Sequence, residues 1–247
     1  MEAIERLRFL IGLEPQSREG FLADLDESER RQLKAYWPFW AREEQLPPDG
    51  DWRIWLICAG RGFGKTRAGA EWVCEIARNH PQARIALVGS SIGEARSVMV
   101  EGESGILACS HGSSRPNFEA SLRRLTWPNG AQAFLYSAAE PESLRGPQHS
   151  HAWCDEIAKW DNASARATSA WDNLLLGMRL GETPRLLATT TPRAVPLLRR
   201  LFDEEKLGAV SVTRGSTYDN GAHLPASVST MEDGRYRQAR QNRRAAV

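Results

Sequence analysis

The stretch AGRGFGKT (Ala59–Thr66) places three glycines, an arginine, a lysine and a threonine within eight residues. An apolar run, WRIWLICAG, leads into it, and Lys65 to Asn79 follows with Ala68, Trp72, Val73, Ile76 and Ala77 at helical spacing. Glycines let a backbone curl until successive N–H groups point inward, which makes a cradle for phosphate oxygens. A helix beginning near Gly64 adds the positive end of its dipole. The phosphate-loop pattern is G-x-x-x-x-G-K-[ST], and this chain matches it with Ala59 at the first glycine and Gly60 beside it. In such a loop the backbone through Gly60, Gly62, Phe63 and Gly64 would cradle the phosphates of ATP. Lys65 would reach the β- and γ-phosphates, the Thr66 hydroxyl would ligate Mg²⁺, and Arg61 would approach the γ-phosphate. The competing reading is a glycine-rich turn carrying an exposed lysine.

Hydrolysis needs acidic partners at another strand end. SHAWCDE reads as a short strand ending at Asp155 and Glu156. Asp155 would hold Mg²⁺, and Glu156 would orient and deprotonate the attacking water. Alone, this pair would favour a solvated acidic turn; lying about 90 residues after a P-loop lysine, it favours the functional reading. LLATTTPR puts Thr189, Thr190 and Thr191 at a third strand end, where hydroxyls could sense a γ-phosphate or simply serve strand propensity. Arg145, in PESLRGPQ, is either a surface arginine or a finger inserted into a neighbouring copy's site. Cys109 and His111 stand close together, but no second pair lies at zinc-site spacing, so a polar loop is the better reading.

Strands must hold these groups, and the rest of the chain supplies them. Of the 247 residues, 41% are hydrophobic and 26% charged, ordinary for one globular core with appendages. No apolar run approaches the ~18 residues of a membrane span, and the N-terminus lacks the layout of a secretory signal. The four cysteines form no CxxC pair, which suits a reducing cytosol. A net charge of +1 neither favours nor excludes a nucleic-acid partner. Residues 1–45 read as helical, with Asp26 or Ser28 as a cap, and LPPDGD (Leu46–Asp51) breaks the pattern. PQARIALVGSS reads as a strand, IGEARSVMVEG as a helix, and LRRLTWPNGAQAFLYSA as a hairpin about Pro-Asn-Gly. NASARATSAWDNLLLGMRLG reads as a helix stopped by Gly181, PRLLATTTP as a strand, VPLLRRLFDEEKL as a helix and AVSVTRGST as a strand. Alternating strands and helices predict an α/β fold with a mostly parallel sheet between helices, and an N-terminal helical arm. The expected units are an arm over 1–50, a P-loop NTPase domain over 51–225 and a basic, disordered tail over 226–247.

FWAREEQLPPDGDWRIWLICAGRGFGKTRAGAEWV, SLRGPQ, DEIAKW and ATTTPR, in that order, resemble the large terminase subunit of tailed bacteriophages and gene transfer agents, over about residues 36 to 225. The resemblance implies an ATP-driven motor that threads double-stranded DNA into capsids. It implies that Lys65 and Thr66 hold phosphate and metal, and that Asp155 and Glu156 are the metal-associated carboxylate and the catalytic glutamate. It further implies that Thr189–Thr191 form the coupling motif, that Gln45 reads the adenine base, and that Arg145 is a trans-acting finger. The implied partners are a portal protein, a small terminase subunit and further copies of the chain in a ring, in the cytoplasm of a bacterial host.

From about Ser227 the sequence turns arginine-rich and is expected to leave the family pattern, as a frameshifted or truncated prophage gene would. The family's RNase H-like nuclease is therefore not expected before Val247. Two rival readings stand beside the motor: a helicase-like nucleic-acid ATPase, and a truncated remnant that binds nucleotide or partner without turnover.

Overall fold

The computed structural model describes residues 25–216; the expectations for the first 24 residues and for the basic tail lie outside them. Eight strands form one sheet: β1 (Ile54–Ala59), β2 (Arg84–Gly89), β3 (Asn117–Glu119), β4 (Arg124–Thr126), β5 (Gln132–Ser137), β6 (His151–Cys154), β7 (Arg185–Thr190) and β8 (Val210–Gly215). Their order across the sheet is β3-β4-β5-β2-β6-β7-β1-β8. From β5 to β8 every pairing is parallel, and β3 and β4 extend the β5 edge antiparallel.

The helices are α1 (Glu27–Ala35), α2 (Trp37–Trp40), α3 (Lys65–Asn79), α4 (Ile92–Glu94), α5 (Ile106–Cys109), α6 (Arg166–Gly177) and α7 (Pro196–Lys206). Because side chains alternate along a strand, β1 feeds both faces of the sheet. Trp55, Ile57 and Ala59 meet Trp72 and Val73 of α3 on one face. Leu56 and Cys58 share the other core with Trp171 and Leu174 of α6 and Leu198 of α7. Burial on both faces explains why these strands read as unbroken apolar runs.

Helix α3 has the limits that periodicity predicts, and its five named apolar residues are buried. Asp26 caps α1 in a capping box, accepting from Glu29 N at 2.7 Å while Glu29 Oε2 accepts from Asp26 N at 3.0 Å. The predicted hairpin forms between β4 and β5 through Trp127–Ala131, with Gly130 at φ +100°.

Three local expectations change. The helix predicted to reach Gly181 ends at Gly177, because the next residue, Met178, bridges to His149. A side chain at Gly177 would come within 2.8 Å of the Pro147 carbonyl, so this close approach requires glycine. The helix predicted from Ile92 widens into π winding over Ala95–Val100, with Glu101 N bonded back five residues to Arg96 O. Strand β3 was not foreseen: three residues carry too short a pattern to read. No helix among the described residues is long and apolar enough to cross a membrane.

Gly69 of α3 lies flat on the Trp153 indole of β6, where a methyl group would overlap the ring. Gly69→Ala is therefore expected to lower stability by about 1–3 kcal/mol through overpacking, despite alanine's better helix propensity. Urea unfolding checks this.

His149 is buried, its ring edge-on to Tyr136 at 5.3 Å, and neither ring nitrogen has a hydrogen-bond partner among the described residues. Burial, reinforced by Arg84, pushes its pKa down to about 4. The unfolded chain titrates near 6.5, so it binds more protons than the native state between those values. The stability contributed by neutral His149 is complete above pH ~6.5 and lost as pH falls toward ~4, by about 3 kcal/mol over the whole window. His149→Leu is expected to flatten that acid limb relative to the parent chain in urea midpoints measured from pH 7 to 4.5. Parallel curves would show that His149 is not held neutral.

Candidate active site

The loop after β1 closes through positive-φ glycines, Gly62 at φ +73° and Gly64 at φ +91°, conformations that a side chain would strain. Gly64 caps α3, so the helix begins at Lys65 and its N-terminal amides face the loop. Gly60 N is tied to Gly215 O at the end of β8 (3.1 Å). Phe63 is fully buried and is not on the lining of the cavity that the rest of the loop borders. Its carbonyl accepts from Gln45 Nε2 at 3.0 Å and from Arg42 Nη2 at 2.6 Å. The Arg42 guanidinium also sits 4.7 Å above the Phe63 ring.

In the sheet, β7 separates β1 from β6, so the phosphate loop and the acidic pair stand two strand spacings apart, about 10 Å. Lys65 crosses that gap. Its ammonium donates to Ala59 O (3.1 Å), Gly60 O (3.1 Å) and Thr191 Oγ1 (3.2 Å), and lies 3.4 Å from Glu156 Oε1.

Glu156 has left-handed backbone (φ 47°), rare for a residue with a side chain and worth about 1–3 kcal/mol of strain. Thr191 holds both its oxygens, N–H to Oε2 and hydroxyl to Oε1, each at 3.1 Å. Asp155 is buried, and Thr189 Oγ1 donates to its Oδ1 at 2.7 Å. Its other oxygen has no hydrogen-bond partner among the described residues. Burial raises the Asp155 pKa to about 6, against the lowering effect of the Thr189 bond. A buried carboxylate with one unpartnered oxygen, together with the Thr66 hydroxyl, is a hard-oxygen donor set that fits Mg²⁺.

Thr66 and Glu156 border a cavity of about 610 Å³, and buried Asp155 lies behind its lining. Arg61, Gly62, Gly64, Lys65 and Thr66 line it from the loop, with Glu156 and Thr191 opposite. Four further lining residues were not singled out from the sequence: Arg67, Ser104, Lys159 and Arg193. Lys159 and Arg193 lie inside DEIAKW and ATTTPR, just past strand ends, and that position was the available signal. Nothing in the pattern marks Ser104. Five cations against one carboxylate make the lining suited to a polyanion.

Several expected site residues stand elsewhere. Thr189 and Thr190 are fully buried, so of the three threonines only Thr191 reaches the cavity. Thr190 Oγ1 accepts from Ala158 N (3.1 Å) and braces the turn after Glu156. Gln45 is not on the cavity: one end of its carboxamide holds Phe63 O and the other accepts from Arg42 N (3.1 Å). Arg145 is 75% exposed, pairs with Glu142 at 3.5 Å, and borders a different hollow beside Asn173 and Arg179. It does not approach the cavity of its own chain.

Comparison with solved structures shows the same fold. The large terminase of a thermophilic bacteriophage matches with a TM-score of 0.59 at 16% identity, over 82% of this chain and 49% of that one. The same protein in complex with ADP gives 0.60, and in complex with ATP-γ-S 0.53. The large terminase ATPase domain of Thermus phage P74-26 gives 0.56 at 13% identity, over 74% of this chain and 83% of that one. The chain thus spans about half the length of the thermophilic bacteriophage's terminase. No curated protein sequence matches it.

Residues 56–243 match the family described as terminase large subunit, T4likevirus-type, N-terminal. The match runs past Ser227, so the arginine-rich segment does not depart from the family pattern where the sequence reading expected it to. With that match over most of its length, the chain belongs to the terminase large-subunit family.

Proposed function

We propose that this chain is the ATP-hydrolysing motor part of a phage-type terminase large subunit, driving double-stranded DNA into capsids. The observation that carries the reading is the Lys65 ammonium set 3.4 Å from the Glu156 carboxylate in a cation-lined cavity at the ends of β1, β7 and β6. The thermophilic bacteriophage's terminase binds ADP and ATP-γ-S on the same fold, which supports a nucleotide here.

Amides of the Gly60–Thr66 loop bind the phosphates, and Lys65 exchanges its loop carbonyls for phosphate oxygens. That exchange draws the ammonium from Glu156, whose carboxylate then orients a water and takes its proton while Thr191 keeps it aimed. Thr66 and Asp155 would hold Mg²⁺, which would supply positive charge to the phosphates. Gln45 and Arg42 act by clamping the loop at Phe63 O. Thr189 and Thr190 fix Asp155 and the turn that carries Glu156. Arg145, exposed and remote from its own cavity, serves a neighbouring copy in a ring. DNA is gripped through its phosphates, as a motor indifferent to sequence requires, with a portal protein and a small terminase subunit as the working partners.

ATP turnover by the purified chain tests the site. Glu156→Gln is expected to retain nucleotide and lower turnover by about 10²–10⁴-fold. Lys65→Ala is expected to lose both nucleotide affinity and turnover. Hydrolysis that survives both substitutions would remove the assignment.

A further inference from the structure

Three of the five cations on the cavity are already committed. Lys65 is shared among Ala59, Gly60, Thr191 and Glu156. Arg67 is held by buried Glu71 at 2.6 Å, and Lys159 by Glu94 at 2.8 Å, with Glu94 itself bonded by Ser90. Arg61 and Arg193 have neither a hydrogen bond nor an ion pair from their side chains among the described residues. A guanidinium at the rim of a polyanion cavity, with no local carboxylate to satisfy it, is a donor fork awaiting an oxyanion.

The two arginines come from different strand ends. Arg61 belongs to the loop after β1. Arg193 follows β7, two residues beyond the Thr191 that holds both oxygens of Glu156. Its backbone is braced by Pro192 before it and by Val195 N, which donates to Arg193 O at 3.0 Å just ahead of α7. Glu156 activates water, so the phosphorus under attack must lie on the β6–β7 side of the cavity. Arg193 is the uncommitted cation on that side.

We infer that Arg193 is a ligand of the terminal phosphate, supplied in cis, and that it distinguishes a nucleoside triphosphate from a diphosphate. The inference rests on the nucleotide-hydrolysing reading above. In the step, the water oxygen bonds to the γ-phosphorus, and the bond to the bridging oxygen breaks with its electron pair leaving on ADP. Glu156 takes the water proton. Arg193 forms no covalent bond; it neutralises charge on the equatorial oxygens of the transferring group.

The test compares the parent chain, Arg193→Ala and Arg193→Lys for binding of ADP and ATP-γ-S by calorimetry, and for steady-state ATP turnover. Arg193 is exposed, and thermal midpoints are expected to coincide. For Arg193→Ala the ADP Kd should stay within about twofold, the ATP-γ-S Kd should rise about tenfold or more, and turnover should fall about 10³-fold. Arg193→Lys should recover part of the ATP-γ-S affinity, since it restores charge without the fork. Equal weakening of both nucleotides, or no change in either with turnover retained, would overturn the role of Arg193 while leaving the hydrolase reading in place. A parent chain that binds neither nucleotide would remove the hydrolase reading and this inference together.

Discussion

One ammonium group joins three strand ends. Lys65 begins α3 beside β1, yet its partners include Thr191 after β7 and Glu156 after β6. It is 7% exposed, so its charge depends on the carbonyls of Ala59 and Gly60 and the carboxylate of Glu156 for compensation. An ammonium buried without such partners would cost several kcal/mol. The phosphate loop and the acidic strand end are therefore held to each other by the same group that a phosphate must recruit.

The supports of this contact reach into both the arm and the core. Arg42 and Gln45 bind the loop through the Phe63 carbonyl, which turns the segment before β1 into a strap over the glycines. Beneath them, Gly69 lets α3 lie against Trp153, whose indole N–H meets Thr189 Oγ1 at 3.4 Å. Thr189 in turn donates to Asp155. Helix packing, a threonine hydroxyl and the buried carboxylate thus form one path. The sequence suggests a phosphate sensor in the Thr189 hydroxyl, but that hydroxyl lies inside this path and not on the cavity.

Much of the fold was legible because burial on both faces leaves a plain mark. Apolar runs flanked by turn residues announced β1, β2 and β7, and the 3.6-residue period set the limits of α3. The end of α6 was not legible. Gly181 has the residue type of a stop, but the helix halts earlier because Met178 pairs with His149, far back in the chain. Such a contact leaves no local pattern.

The candidate site divides in the same way. Chain order and residue type were enough to nominate Lys65, Thr66, Asp155 and Glu156, since a glycine curl ahead of a helix and an acidic strand end each carry their chemistry locally. Which threonine reaches the cavity follows from where β7 ends: Thr189 and Thr190 are buried within the strand, and Thr191 lies just past it. The place of Gln45 under the loop, the position of Arg145 on a different hollow, and the arrival of Arg193 on the cavity that Glu156 lines depend on strand order, and the crossover connections set that order. Local sequence can specify a group's chemistry because the chemistry belongs to the residue. Its neighbours across the sheet are chosen by the packing of the whole chain.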